Sequence, residues 1–317
     1  MNILNFLLQI VLLVVGFFLL IKGADWFVEG ASKIADRFHI PQIVIGLTIV
    51  AFGTSAPEAA ISITAALNHN ADITIGNVVG SNIFNILIIL GITACIKPLL
   101  IQKSTLRYEL PFVIGITAVL WVLGMNDGQI NFIDGVIMWI LFLAFLGYLI
   151  WQSKKGEAVI EEIEHADKKD SMLKLLLMTA VGMAAIAFGS DITVDSATNI
   201  ATTLHMSQRL IALTIVAFGT SLPELITSIT AAKKGNSDIA IGNIVGSNIF
   251  NILFVTGTTA LISTVPFAAQ FGIDTIVAVV SAILLWLFVF KDRTLEKRSG
   301  IIMLICYTAY FVYLVMR

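Results

Sequence analysis

The sequence predicts an all-α integral membrane protein of ten transmembrane helices, built as two inverted five-helix repeats with both termini outside. Three observations carry this. First, the 317 residues are 58% hydrophobic and only 13% charged, against about 45–50% and about 25% in an ordinary globular domain. Apolar runs of about 20 residues recur, the length that crosses the ~30 Å hydrocarbon core as a helix. Second, the stretch from Leu47 to Gly91 is written again from Leu213 at a constant offset of 166 residues, with 32 of 45 positions identical. Third, lysines and arginines alternate between loops in a way that turns the second half upside down relative to the first.

The spans fall at roughly 3–35, 41–67, 72–98, 107–124, 132–152, 171–201, 208–232, 238–264, 271–290 and 299–316. The opening run, MNILNFLLQIVLLVVGFFLL, lacks a basic leader and a small-residue cleavage site, so it reads as a retained first span. Spans one and six exceed what a bilayer requires and are expected to tilt or project. A charged stretch, 153–170, joins the halves 1–152 and 171–317 and reads as a solvated linker or short surface helix. Loops after the odd-numbered spans hold 16 of the 19 lysines and arginines; Arg209 and Arg317 lie on the other side and Lys22 lies inside span one. The linker therefore faces the cytoplasm. Five spans per half, an odd number, gives the inverted repeat of secondary transporters, whose site lies near the midplane where the halves meet.

The duplicated stretch places polar groups where lipid would forbid them. In FGTSAPE, Pro57 has no N–H, so the Gly53 carbonyl loses its helical partner and the preceding turn opens. A bound cation can satisfy such a carbonyl in hydrocarbon, and Glu58 adds a negative charge beside it. Thr54, Glu58 and Ser62 share one helix face, as do Asn77, Ser81 and Asn85. The second copy repeats both faces with Thr220, Glu224 and Ser228, and with Asn243, Ser247 and Asn251. Gly76 with Gly80, and Gly242 with Gly246, allow close helix approach. Four oxygen-rich faces converging on one point suit a hard cation such as Ca²⁺, which takes about 6–8 oxygens; the lack of His and Cys argues against Zn²⁺ or Cu⁺. Two carboxylates give a charge of −2, matched by one Ca²⁺ or two monovalent ions. The glutamates could instead be neutral glue between helices, but intramembrane carboxylates are costly enough to favour function. For Asn77 and Asn243, interhelical hydrogen bonding is an equal reading.

GTSAPE with GNVVGSNIFN, repeated as GTSLPE with GNIVGSNIFN, resembles the two alpha-repeats of the calcium/cation antiporter superfamily, most closely its prokaryotic sodium/calcium exchanger branch. The likeness covers essentially the whole chain. It implies a secondary antiporter exchanging Ca²⁺ for Na⁺ in the cell (inner) membrane, with no cofactor and no obligatory protein partner. Glu58 and Glu224 would be the carboxylates shared by both ions. Thr54 and Thr220 would offer main-chain carbonyls, Ser55, Ser81, Ser221 and Ser247 would line flanking Na⁺ sites, and Asn85 and Asn251 would complete the cluster. Spans one and six would slide across the core. Some members carry aspartate where this chain has Asn251, so K⁺ co-transport is not implied.

Other polar residues read more plainly. Asp25 and Glu29 on span one, repeated as Asp191 and Asp195 on span six, suggest interfacial pairing, with Lys22 among the candidate partners. Asp72 and Asp238 precede apolar helices as N-caps. His39, His69, His165 and His205 lie in loops or near span ends without metal spacing. Cys95 and Cys306 fit no metal or redox spacing and read as small buried hydrophobes. No basic aromatic patch points to nucleic acid, and no Ser–His–Asp set or P-loop lysine points to an enzyme. Ca²⁺/H⁺ exchange on the same fold and a cation channel remain alternatives, the channel disfavoured because two inverted halves surround one point rather than a symmetric pore.

Overall fold

The computed structural model describes residues 3–68, 70–71, 73–155, 170–204 and 217–316. His69, Asp72, His165, His205, Arg209, Arg317, most of the 153–170 linker and the start of the seventh expected span lie outside the described residues. The helices are α1 (Ile3–Phe38), α2 (Gln42–Thr54), α3 (Ala56–Leu67), α4 (Ile73–Ile96), α5 (Thr105–Asp127), α6 (Phe132–Lys155), α7 (Met172–Thr203), α8 (Leu222–Lys233), α9 (Ser237–Ile262), α10 (Ala269–Phe290) and α11 (Lys297–Met316). Eight are long and apolar enough to cross a membrane, and the α2–α3 pair, bent by 51°, makes up to nine. At about 1.5 Å per residue, α1 with its 36 residues exceeds the hydrocarbon thickness, as expected from the sequence.

Burial runs from the middle outwards. Almost all of α9 and most of α4 are enclosed by protein, whereas α1, α7 and α11 present long apolar faces outwards, including Val14, Phe18, Leu177, Phe188 and Ile305. Water would penalise such faces at roughly 25 cal/mol per Å²; lipid does not.

The repeats interlock. Helices α1 and α7 cross antiparallel along glycines: a Cβ at Gly189 would lie 2.9 Å from the Gly16 carbonyl oxygen, and one at Gly182 would lie 2.8 Å from that of Gly23. Gly182 and Gly189 are Gly16 and Gly23 moved by the 166-residue offset, so each contact is the other's mirror in sequence. The same exchange recurs where Gly300 of α11 approaches the Gly91 oxygen (2.6 Å for an added Cβ) and Gly135 of α6 approaches that of Gly257 (2.9 Å). Two short antiparallel ribbons clip the ends: β1 (Leu99–Leu100) pairs with β4 (Thr294–Leu295), and β2 (Gln129–Ile130) with β3 (Val265–Pro266). Both join one repeat to the other.

Interfacial pairing of the α1 acids is as expected. Lys33 holds Glu29 at 2.9 Å and Asp170 at 3.0 Å, Lys22 lies 4.0 Å from Asp25, and Lys234, just past α8, lies 3.6 Å from Asp25 and 3.7 Å from Glu29. Hydrogen bonds from Lys174 and Lys33 hold the Asp170 carboxyl below the usual carboxylate range. Asp191 and Asp195 are exposed and form no ion pair among the described residues. Phe188, Asn199 and Asn68 stand where Lys22, Lys33 and Lys234 stand for the first pair. His39 closes α1 in the left-handed region (φ 55°), exposed.

Two sequence expectations need correction. Asp238 is not an N-cap: α9 is preceded by Asn236, and the Asp238 carboxylate, inside the first turn, accepts a hydrogen bond from Gln102 Nε2. The repeat places this loop beside a glutamine, which outcompetes the free helix amides. Cys95 and Cys306 are only half-buried free thiols, because the helices carrying them, α4 at its end and α11, sit at the periphery.

The α1–α7 crossing leaves no room for a larger side chain. Gly182→Leu, whose Cβ would lie 2.5 Å from the Phe27 amide nitrogen, is expected to destabilise the detergent-solubilised protein by about 1–3 kcal/mol, read as a lowered thermal midpoint. Gly147→Leu, with nothing within 4 Å, should change it by less than about 0.5 kcal/mol.

Candidate functional site

Helix α2 stops at Thr54, Ser55 takes a non-helical conformation (φ −86°, ψ 6°), and α3 restarts at Ala56. The second copy does the same: a single turn, Ala217–Gly219, is followed by Ser221 at φ −95°, ψ 7°, and α8 starts at Leu222. Pro57 and Pro223 each fall in the first turn of the restarted helix, where a missing N–H costs nothing. The expected loosening is thus a full stop and restart. Glu58 and Glu224 lie in these first turns, where the free amides and the helix dipole favour negative charge.

Both glutamates are buried, with 1% of their surface exposed. Support across the repeats is one-sided: Ser55 Oγ donates to Glu224 Oε1 at 2.8 Å, whereas the repeat-related Ser221 hydroxyl is buried without a hydrogen bond. Oε2 of each glutamate has no hydrogen bond. Thr54 is buried, and its Oγ1 donates to Asn243 Oδ1 at 2.9 Å; Thr220 is half-buried in the turn before Ser221.

Asn77 and Asn243 brace the two restarts. Asn77 Nδ2 donates to the Glu58 main-chain oxygen (3.2 Å) and to Ser62 Oγ (2.9 Å); Asn243 Nδ2 donates to that of Glu224 (3.3 Å) and to Ser228 Oγ (2.9 Å). Of the two readings the sequence left open, interhelical hydrogen bonding is the one observed. Ser81 and Ser247 are buried one turn further on, with Ser247 Oγ lacking a partner. Asn85 and Asn251 are also buried, and the side-chain oxygen of each has no hydrogen bond.

Some features had only a faint trace in the sequence. The ladder widens to i→i+5 bonding over Asn85–Leu90 and Phe250–Thr256, a form common at functional sites. Asn82 and Asn248 cross-link α4 and α9: Asn82 Nδ2 donates to the Asn248 main-chain oxygen (3.1 Å), and Asn248 Nδ2 to that of Asn82 (3.3 Å). Their duplication inside GSNIFN was the available signal. Ser190 of α7 donates to the Gly219 carbonyl at 2.9 Å, so the oxygen freed by Pro223 has a donor from the protein itself. Ala24 occupies the related position in α1 and has no such donor. Gly242 and Gly246 are closely approached by α2, added Cβ atoms lying 2.9 Å from Gly46 Cα and 2.8 Å from Leu47 Cα. Gly76 instead faces the Phe271 ring (3.4 Å), and nothing lies within 4 Å of a Cβ at Gly80.

The result is a set of buried oxygens without hydrogen-bond partners, from the carboxylates of Glu58 and Glu224, the amides of Asn85 and Asn251, and the hydroxyls of Ser221 and Ser247. Burying such atoms unpaired is costly, and a cation substrate removes the cost. Carboxylate, amide and hydroxyl oxygens are hard donors, the type that suits a hard cation.

This arrangement defines a membrane-embedded cation transporter built on a repeat. The family model described as sodium/calcium exchanger protein matches residues 8–151 and 174–316, and the chain belongs to that family. It is 38% identical over 312 residues to the putative antiporter CaxA of Alkalimonas amylolytica, covering 96% of this chain and 98% of that one. To the sodium/calcium exchanger MaX1 of Methanosarcina acetivorans it is 30% identical, covering 98% of each. A solved structure of the sodium-calcium exchanger NCX_Mj, soaked with zero Na⁺ and Ca²⁺, superposes with a TM-score of 0.84 at 33% identity, covering 97% of this chain and 99% of that one. The protein is a multi-pass cation exchanger rather than an enzyme, and its family takes Ca²⁺ and Na⁺ as transported substrates without a cofactor.

Asn243→Ala removes the donor to both the Glu224 carbonyl and Ser228. Leaving those groups buried and unpaired is expected to cost about 1–3 kcal/mol, measured by thermal unfolding in detergent.

Proposed function

We propose that the protein is an antiporter that exchanges Ca²⁺ for Na⁺ across the cell membrane by alternating access at one midplane site. Its halves, 1–152 and 171–317, form two inverted five-helix repeats, ten spans in all, joined by a cytoplasmic linker at 153–170, with both termini outside. Glu58, Glu224, Asn85 and Asn251 hold Ca²⁺; Thr54 and Thr220 give main-chain oxygens; Ser55, Ser81, Ser221 and Ser247 extend the cluster toward flanking Na⁺ positions. One observation carries this reading: two buried carboxylates, one from each repeat, each with an oxygen that no donor satisfies. Their joint charge of −2 is neutralised by one Ca²⁺ or two Na⁺, so the ions exclude each other and the gradient of one drives the other. MaX1 and NCX_Mj, named as sodium/calcium exchangers, support the pairing of ions.

In proteoliposomes loaded with Na⁺, an outward Na⁺ gradient is expected to drive radioactive Ca²⁺ uptake. Uptake that ignores Na⁺ and follows an imposed pH gradient makes the protein a Ca²⁺/H⁺ exchanger, and uptake without trans-stimulation makes it a channel. Glu58→Gln and Glu224→Gln should each lower exchange below about a hundredth of wild type, a loss of roughly 3 kcal/mol or more from one buried partner, with the protein still folded.

Sliding of α1 and α7 over the remaining helices must break the bonds of Lys234 to Asp25 and Glu29. Those bonds then favour the conformation that contains them by up to about 1 kcal/mol. Lys234→Ala is expected to shift the apparent Ca²⁺ affinities measured from the two sides in opposite directions by up to about fivefold; unchanged affinities argue that the pair persists through transport.

A further inference from the structure

We propose that Asn82 and Asn248, outside the ligand set, are positioning residues: they lock the amides of Asn85 and Asn251 so that oxygen rather than nitrogen faces the ion. The inference rests on the cation-site reading given above.

The two ends of an asparagine amide have nearly the same size, so packing does not choose between them; hydrogen bonds do. Here the choice is forced by a short chain of logic. The Asn248 main-chain oxygen can only accept, so the atom of Asn82 that lies 3.1 Å from it is the nitrogen. The Asn82 oxygen is then left facing Asn251, whose nitrogen donates to it at 3.2 Å. The Asn251 oxygen must therefore point away from this cluster. The mirror chain runs from Asn248 Nδ2 on the Asn82 main-chain oxygen (3.3 Å) to Asn85 Nδ2 on Asn248 Oδ1 (3.0 Å). Asn82, Asn85, Asn248 and Asn251 are each no more than 3% exposed, so water does not compete for these bonds.

The outcome is visible in which atoms are left over. All four amide nitrogens are used, the oxygens of Asn82 and Asn248 are used, and the oxygens of Asn85 and Asn251 are not. These two unpaired atoms belong to the first residue of the widened turn in α4, Asn85, and the second of that in α9, Asn251, and against these turns α8 and α3 pack with Glu224 and Glu58. A reversed amide would aim two N–H dipoles at a cation. The four-asparagine cluster removes that state before any ion arrives, which is preorganisation by the protein rather than by the ion.

The test uses Ca²⁺ itself and a substitution that abolishes the need for orientation. In proteoliposomes, Asn82→Ala is expected to raise KM for Ca²⁺ about tenfold with the maximal rate changed less than about twofold. With Asn251→Asp, residue 251 has two equivalent oxygens and no N–H₂ to misplace. Adding Asn82→Ala to that background should then raise KM by less than about twofold. A merely structural role predicts the same tenfold cost in both backgrounds, and that result overturns the inference. Asn248→Ala with Asn85→Asp provides the mirror cycle. If neither alanine variant folds, isotope-edited infrared spectra of the wild-type protein decide: Ca²⁺ should shift asparagine carbonyl bands that are missing from Asn85→Asp and Asn251→Asp, and bands indifferent to Ca²⁺ overturn the inference. Glu58→Gln separates the two levels. If it leaves Ca²⁺ affinity intact, the cation-site reading fails; if it abolishes binding while the alanine cost stays equal in both backgrounds, only the positioning role fails.

Discussion

Everything in this structure depends on one constraint: a polypeptide that interrupts its helices at membrane depth must satisfy the freed groups inside the protein. The interruptions at Ser55 and Ser221 are enclosed by α4 and α9, and those two helices are the most deeply buried in the molecule. Asn77 and Asn243 take the carbonyls at the restarts, Ser190 takes one at the stop, and Ser55 of the first repeat reaches the Glu224 carboxylate of the second. What these bonds do not satisfy is a small set of oxygens around Glu58 and Glu224. Buried oxygens without a hydrogen bond also occur elsewhere, at Gln42, Thr105, Glu109 and Gln152, but the set around the two glutamates has the chemistry of a cation's coordination shell.

Much of this was legible in the sequence because the duplication supplied it twice. Helix boundaries from α4 to α7 and from α9 to α11 fall within a few residues of the apolar runs, since hydropathy and span length decide them together. The convergence of Glu58, Glu224 and the asparagine faces followed from helical spacing and the inverted repeat. What escaped was set by partners far away in the chain. Asp238 reads as a cap until Gln102, 136 residues away, is brought beside it. Asn82 lies one position off the face shared by Asn77, Ser81 and Asn85, so helical spacing passed over it. The widened turns have no local signature at all: the sequence SNIFNIL is compatible with an ordinary helix.

The two halves are close copies but not equivalents. Ser190 donates to the Gly219 carbonyl where Ala24 can offer nothing to the first repeat, and Lys234 engages the α1 acids where the repeat-related position holds Asn68. A perfectly symmetric inverted repeat would give its inward and outward conformations the same energy. Substitutions of this kind, away from the ion, are where such a protein can set the balance between them without altering what it binds.

The crossed ribbons, β1 with β4 and β2 with β3, have a further meaning for how the chain should be divided. Each ribbon takes one strand from either half, and α9 is enclosed largely by helices of the first half. Neither half therefore owns a core. In the thermodynamic sense the repeat is an ancestry rather than a domain, and the 166-residue unit completes its hydrogen bonds only when its copy is present. The segment between the halves then contributes proximity, raising the local concentration of one half around the other, while the fold itself is specified by the crossing.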